Sequence, residues 1–278
     1  MKTVELKELL SHAAGIAREA GERIIEVKAG RFKIEIKSDG SPVSAADFAA
    51  HDIILAGIEA LGTGLPVISE ENYDHQGLPD SDLFWLVDPL DGTKEFIRGG
   101  NDYTVNIALV EAGRPVLGAV YAPETSISYS AASGTGAWRA GGQAPAERIE
   151  ASANGSRITA VVSKSHLNRR TEQFLQRQGV DRVIQSGSSI KLCLVADGSA
   201  QIYPRLGPTS LWDTAAAAAV ALEAGCRVID LQGAPLDYSG GGGIIHAGFI
   251  VYSPGAFAGR LVLPADYEAQ MDIESSLT

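Results

Sequence analysis

Apolar positions along this chain switch between two periods, and the switching predicts helices and strands in succession. Leu6, Leu9, Leu10, Ala13, Ile16, Ala17, Ala20 and Ile24 recur with a helical period, which predicts an amphipathic first helix. Residues 33–36 alternate as a short strand. Ser44 and Asp47 open a second helix that carries Ile53, Ile54 and Ile58 to about residue 61. Strands follow near 66–69, 84–87, 104–110 and 116–121, with turn-forming residues such as those at 112–115 between them. From 140 to 156 the composition shifts to Gly, Gln, Pro, Ala, Asn and Ser, a boundary between an N-terminal unit, 1–150, and a C-terminal unit, 151–262. Beyond it, 158–163 reads as strand, and 169–178, 190–196 and the alanine-rich 214–224 as helices. Glycines 240–243 read as a surface turn, and the acidic tail from 263 as a frayed end. The expected class is α/β, with two α/β-type layers joined near residue 150.

Composition narrows the partners. At 278 residues the chain exceeds the usual single-domain size, so one large or two fused domains are expected. A hydrophobic share of 45% and a charged share of 21% suit a globular protein with a sizeable core. The formal net charge of −11 argues against nucleic-acid binding, which needs a basic face. It does not argue against a small anionic substrate, because a bound divalent cation can dominate the local field. Cys193 and Cys226 lie in apolar surroundings and read as reduced, buried thiols of a reducing compartment. Charges occupy the place of a signal peptide's apolar core, and no apolar run reaches the roughly 18 residues of a membrane span. The cytoplasm is the expected location, and the acidic balance gives no support to peripheral contact with an inner membrane.

The chemistry concentrates at 84–96. An apolar run, 84–87, ends in Asp88 and Asp91, and Pro89 favours an extended conformation at Asp88, at the strand tip. Gly92 and Thr93 then lead into a helix start, where free N–H groups favour an anion. Two hard oxygen donors beside an anion-binding turn suit metal-assisted phosphate chemistry. Glu70 and Glu71 end another short apolar strand, Asp213 precedes the alanine-rich helix, and Asp47 lies in the first turn of its own. Each also has a plain structural reading: Asp213 as a helix cap, Ser44 and Asp47 as a capping box, Glu71 as a solvated charge. Together, acids at 70, 88, 91 and 213 could converge on one mouth of a layered fold.

These residues resemble the lithium-sensitive, Mg²⁺-dependent phosphatase superfamily that includes the inositol monophosphatases. The segments that carry the resemblance are Ser69-Glu70-Glu71, Asp88-Pro-Leu-Asp-Gly-Thr93 and Trp212-Asp213-Thr-Ala-Ala, in family order from about residue 5 to 255. The segments Lys37 to Asp47, Leu90 to Phe96, Gly187-Ser-Ser-Ile-Lys191 and Tyr203 to Thr209 look like its bacterial 3′(2′),5′-bisphosphate nucleotidases. The resemblance implies alternating α/β/α/β/α layers and two or three Mg²⁺ per site. Glu70, Asp88 and the Leu90 carbonyl would hold one ion, and Asp88, Asp91 and Asp213 a second, roughly 3.5–4 Å away. Asp47 and Thr93, with Glu70, would orient and deprotonate an attacking water. The Gly92 and Thr93 amides would cradle the phosphoryl group, and Lys37 would serve a weaker outer site. Ser188, Lys191 and Arg205 would take a second phosphate, and His166 would line a nucleoside.

The implied reaction is hydrolysis of 3′-phosphoadenosine 5′-phosphate to AMP, with PAPS as a second substrate, in support of sulfate assimilation. An inositol or sugar phosphatase would share every metal ligand and differ only in the cationic subsite. A non-catalytic phosphate- or metal-sensing module would lack at least one of the six groups Glu70, Asp88, Asp91, Asp213, Asp47 and Thr93, and all are present.

Overall fold

A helix of 27 residues opens the fold: α1 (Thr3–Ala29) buries Leu6, Ala13, Ile16, Ala17, Ala20 and Ile24 along one stripe, six of the periodic positions of the sequence, with Leu9 and Leu10 half-buried beside them. The computed structural model describes residues 3–30, 33–36, 42–74, 77–142, 144–152, 157–164, 169–257 and 261–264. A hairpin of β1 (Ile34–Ile36) and β2 (Pro42–Ser44) leads into α2 (Ala45–Ala60). Ser44 caps α2 and closes a capping box with Asp47.

Seven strands then form one sheet: β3 (Val67–Ser69), β4 (Leu83–Asp91), β5 (Thr104–Glu111), β6 (Arg114–Ala122), β7 (Ile127–Ala132), β8 (Ala137–Gly141) and β9 (Glu147–Ile149). They lie in sequence order; β3 and β4 are parallel and the later pairs antiparallel. The short helix α3 (Thr93–Ile97) sits between β4 and β5. Past residue 150 come β10 (Thr159–Ser163), α4 (Arg169–Arg177), β11 (Arg182–Ser186), α5 (Ile190–Ala196), β12 (Ile202–Arg205), β13 (Thr209–Ser210), α6 (Ala215–Glu223), β14 (Arg227–Asp230), β15 (Ile245–His246), β16 (Phe249–Tyr252) and α7 (Pro254–Phe257). Five of these strands make a second sheet, ordered β11-β10-β12-β16-β14, and β13 pairs with β15.

Strand alternation sorts the layers. On β5, Val105, Ile107 and Leu109 face α1 and α2, while Ala108 and Val110 face the core that holds α5 and α6. That second core runs from Phe84 and Leu86 through the buried alanines of α6 to Phe249 and Val251, so the two halves share it. The outer face of the second sheet is covered by Phe174 and Leu175 of α4 and Phe257 of α7. The result is an α/β/α/β/α stack, the layering that the resemblance implied.

Helices α2, α4, α5 and α6 lie within one residue of the expected bounds, α1 extends past the periodic set at both ends, and the short α7 was not expected. Strand β4 runs past its apolar segment to Asp91, and the 140–156 stretch, expected as a boundary, holds β9. The polar and alanine-rich β7 and β8, and the short β11, β12, β14 and β16, have no counterpart in the sequence reading. The 240–243 glycines do form a turn, closed by a Gly243 N–H bond to Gly240 at 2.9 Å. Lys37, His166 and the tail from 265 lie outside the described residues, and no described helix is long and apolar enough to cross a membrane.

Candidate active site

Three carboxylates meet where β3, β4 and the approach to α6 come together. One oxygen each from Glu70, Asp88 and Asp213 lie within 4.8 Å of one another. Asp91 joins them along an open cleft that Leu90, Gly92, Thr93, Ser188, Lys191 and Arg205 also line. Two aspartates three residues apart should face opposite sides of a regular strand. Here Asp88 pairs with Asn106 but Asp91 with Thr104, so one extra residue bulges out between them. Both acids therefore reach the cleft. Pro89 sits in that bulge, where its missing N–H costs no ladder bond.

The turn after β4 needs its glycine. Gly92 has φ of 98°, and a Cβ there would fall 2.9 Å from the Asp102 carbonyl oxygen. Thr93 begins α3, and its hydroxyl lies 3.0 Å from Asp47 Oδ1 and 3.1 Å from the Leu90 carbonyl, both acceptors. Asp47 lies outside the cleft lining and supports it from behind. Its Oδ2 accepts from the Ser44 amide at 2.8 Å and the Ser44 hydroxyl at 2.7 Å. The capping box and the reach toward Thr93 are thus the same side chain. Asp213 precedes the helix cap, which is Thr214; it accepts from Thr209 Oγ at 2.7 Å and the Ser210 amide at 3.1 Å.

The carboxylates of the cleft crowd one another in a buried setting. Burial raises the Asp88 pKa well above the usual range, and Glu70, Asp91, Asp213 and Asp47 push it further. Asp91 is pushed up to about 8 by burial and by Asp213, against the pull of Lys191 and the Ser189 amide. Asp213 moves up through burial, although Thr209 and Ser210 oppose the shift. Across the cleft, burial and Arg205 bring Lys191 down to about 8, with Asp91 opposing. Asp88 Oδ2 is buried with no hydrogen-bond partner among the described residues. A cluster of hard oxygen donors with one oxygen orphaned fits a divalent cation.

The facing wall is built of donors. Lys191 is buried, its ammonium bonded to the Ser188 carbonyl and 5.4 Å from the centre of the Tyr203 ring. Arg205 Nη2 donates to the Pro208 carbonyl at 2.8 Å, while its Nε and the Ser188 hydroxyl are buried without partners among the described residues. Sequence reasoning assigned no role to Tyr203, Thr209 or Ser163, which also line the cleft. Tyr203 and Arg205 lie two apart on β12, and that spacing was the available signal. His166 and Lys37 cannot be located against this site.

Known proteins resemble this chain over most of its length. The inositol monophosphatase family model matches residues 5–261. The 3′(2′),5′-bisphosphate nucleotidase CysQ of Escherichia coli K12 is 44% identical over 247 residues, 87% of this chain and 99% of that protein. The protein of the same name from Salmonella typhimurium is 45% identical over 247 residues, with the same coverage. Among solved structures, CysQ from Bacteroides thetaiotaomicron superposes with a TM-score of 0.79 at 36% identity, over 90% of this chain and 99% of that one. A Thermotoga maritima inositol monophosphatase shares the fold, with a TM-score of 0.78 at 23% identity over 95% of this chain and 99% of that one.

Proposed function

The chain belongs to the inositol monophosphatase family, and from that premise we propose that it is a 3′(2′),5′-bisphosphate nucleotidase, which cleaves 3′-phosphoadenosine 5′-phosphate to AMP and phosphate. The observation that carries this reading is the unmet bonding of the two walls. One wall offers an orphaned acceptor, Asp88 Oδ2; the other offers orphaned donors, Ser188 Oγ and Arg205 Nε, beside Lys191. A divalent cation would meet the acidic wall and draw an ester phosphate to it, and a second phosphate at the other end of the substrate meets the donors. An inositol monophosphate would leave the donor wall unmet. The names of the bacterial relatives at 43–45% identity point the same way.

Glu70, Asp88, the Leu90 carbonyl, Asp91 and Asp213 would hold two or three Mg²⁺, which when bound supply Lewis-acid polarisation of the phosphoryl oxygens and a more acidic water. Thr93 donates its hydroxyl proton to Asp47, fixed in turn by Ser44, so the threonine oxygen is left to accept from a water. Glu70 takes that water's proton. The Gly92 and Thr93 amides head a helix, where intrahelical acceptors are lacking, and they cradle the phosphoryl oxygens. Arg205 and Lys191, with the Ser188 hydroxyl, hold the distal phosphate; a guanidinium fork suits it. Attack is in line and leaves no phosphoenzyme. PAPS, with the same two phosphate positions, is a second substrate, and the role is removal of a by-product of sulfate assimilation.

The test is phosphate release from 3′-phosphoadenosine 5′-phosphate and from inositol 1-phosphate in parallel, with Mg²⁺ and with or without Li⁺. The expected result is a strong preference for the nucleotide, suppressed by Li⁺. Preference for the inositol ester would keep the acidic wall and overturn the reading of Ser188, Lys191 and Arg205. No Mg²⁺-dependent release from either ester would overturn the enzyme reading.

A further inference from the structure

The segment that joins the two walls carries a row of polar side chains. Asp102, Thr104 and Asn106 recur at every second position along β5 and its lead-in, on the side where Ala108 and Val110 meet α5 and α6. All three grip the turn that leads into α5. Asp102 Oδ2 accepts from the Gly187 amide at 2.7 Å and the Ser186 hydroxyl at 3.3 Å, and pairs with the Lys164 ammonium at 2.7 Å. The Ser189 hydroxyl lies 2.7 Å from Asn106 Oδ1 and 2.9 Å from Thr104 Oγ.

Space is as tight as the bonding. A Cβ on Gly187 would fall 2.7 Å from the Asp102 carbonyl oxygen, and one on Gly92 would fall 2.9 Å from the same atom. The Asp102 backbone is therefore wedged between the ester-phosphate turn on one wall and the cationic turn on the other. The next residue of the cationic turn, Ser188, has φ of 46°, a left-handed conformation that its surroundings must hold in place. The Asp102 charge persists there. Burial alone would push its pKa up, but the Lys164 and Gly187 hydrogen bonds outweigh burial and hold it low.

Resting on the nucleotidase reading, we propose that Asp102 is a positioning residue for substrate discrimination: it sets the distance between the Gly92 turn and the 187–191 turn, so that the cleft gauges the spacing of two phosphates. It touches no substrate. A merely structural role would depress every substrate alike, whereas a spacer affects only ligands that bridge both turns.

The experiment uses the full chain with Mg²⁺ and compares 3′-phosphoadenosine 5′-phosphate with adenosine 3′-phosphate, which presents the same ester without the distal phosphate. In Asp102→Ala the ratio of the two kcat/KM values should fall about tenfold or more, chiefly through a higher KM for the bisphosphate. Asp102→Asn, which can still accept the Gly187 amide, should shift it less. Should the alanine variant fail to fold, Asp102→Asn and Lys164→Met carry the test, each expected to move the ratio in the same direction. Equal losses on both esters, or an unchanged ratio, overturn the proposal. A wild-type protein with no preference for the bisphosphate overturns the nucleotidase reading and this role with it. A wild-type preference that survives Asp102→Ala overturns the role of Asp102 alone.

Discussion

Single side chains in the cleft differ in what their loss should do. Asp213 accepts two hydrogen bonds that an asparagine oxygen could keep, so Asp213→Asn removes charge with little change of shape. Mg²⁺ affinity measured by calorimetry should fall by roughly a hundredfold or more, and turnover should vanish with it; near-wild-type rates would contradict the ligand assignment. Arg205→Ala should weaken 3′-phosphoadenosine 5′-phosphate by about 2–5 kcal/mol more than adenosine 3′-phosphate, because it strips a desolvated partner from one phosphate only. Equal weakening of both in competition assays would take Arg205 out of the subsite.

At the scale of elements, the packing of α6 against the seven-stranded sheet leaves no slack. A Cβ on Gly118 of β6 would fall 2.0 Å from the Ala216 carbonyl oxygen of α6, an atom that cannot move without the helix. Gly118→Ala should cost about 3 kcal/mol in denaturant unfolding. Gly15→Ala, on the exposed side of α1 with no described atom within 4 Å of the new Cβ, should instead stabilise by about 1 kcal/mol. The same sign for both would contradict this account. What was legible in the sequence follows the same division. The strand-tip acids could be read because an apolar run ending in carboxylates is a local signal, and the helices because their period is local too. The bulge that turns Asp88 and Asp91 the same way could not be read, since it exists only against Thr104 and Asn106 of the neighbouring strand. Strands β14 and β16 are four residues each, and pairing across a long loop defines them. Asp102 escaped notice because its partners, Lys164 and Gly187, lie more than sixty positions downstream.

For the whole molecule, the acidic cleft ties stability to pH. Asp88, Asp91 and Asp213 all hold protons to higher pH in the folded chain than an exposed carboxylate does. Between about pH 6.5, below which the lowered pKa values of buried His51 and His246 oppose the effect, and the Asp91 midpoint at about 8, the folded chain binds more protons than the unfolded one. Its stability should therefore fall as pH rises through that window. In EDTA, the thermal midpoint should be highest at the acidic end and decline toward pH 8. Saturating Mg²⁺ should raise the midpoint most at pH 8 and flatten the slope. A metal-free midpoint that stays level across the window would contradict the clustering of charge.

One feature of the stack bears on how such a scaffold could change its substrate. Five consecutive alanines of α6, Ala215 to Ala219, are all buried between the two sheets. The interlayer gap is thus set by side chains that are single methyl groups, with no rotamers to rearrange and no smaller substitute but glycine. Such a wall transmits position rigidly and forgives little enlargement. New specificities would have to be written in the turns along the rim, around 187–191 and 203–209, while the alanine layer beneath acts as their fixed datum.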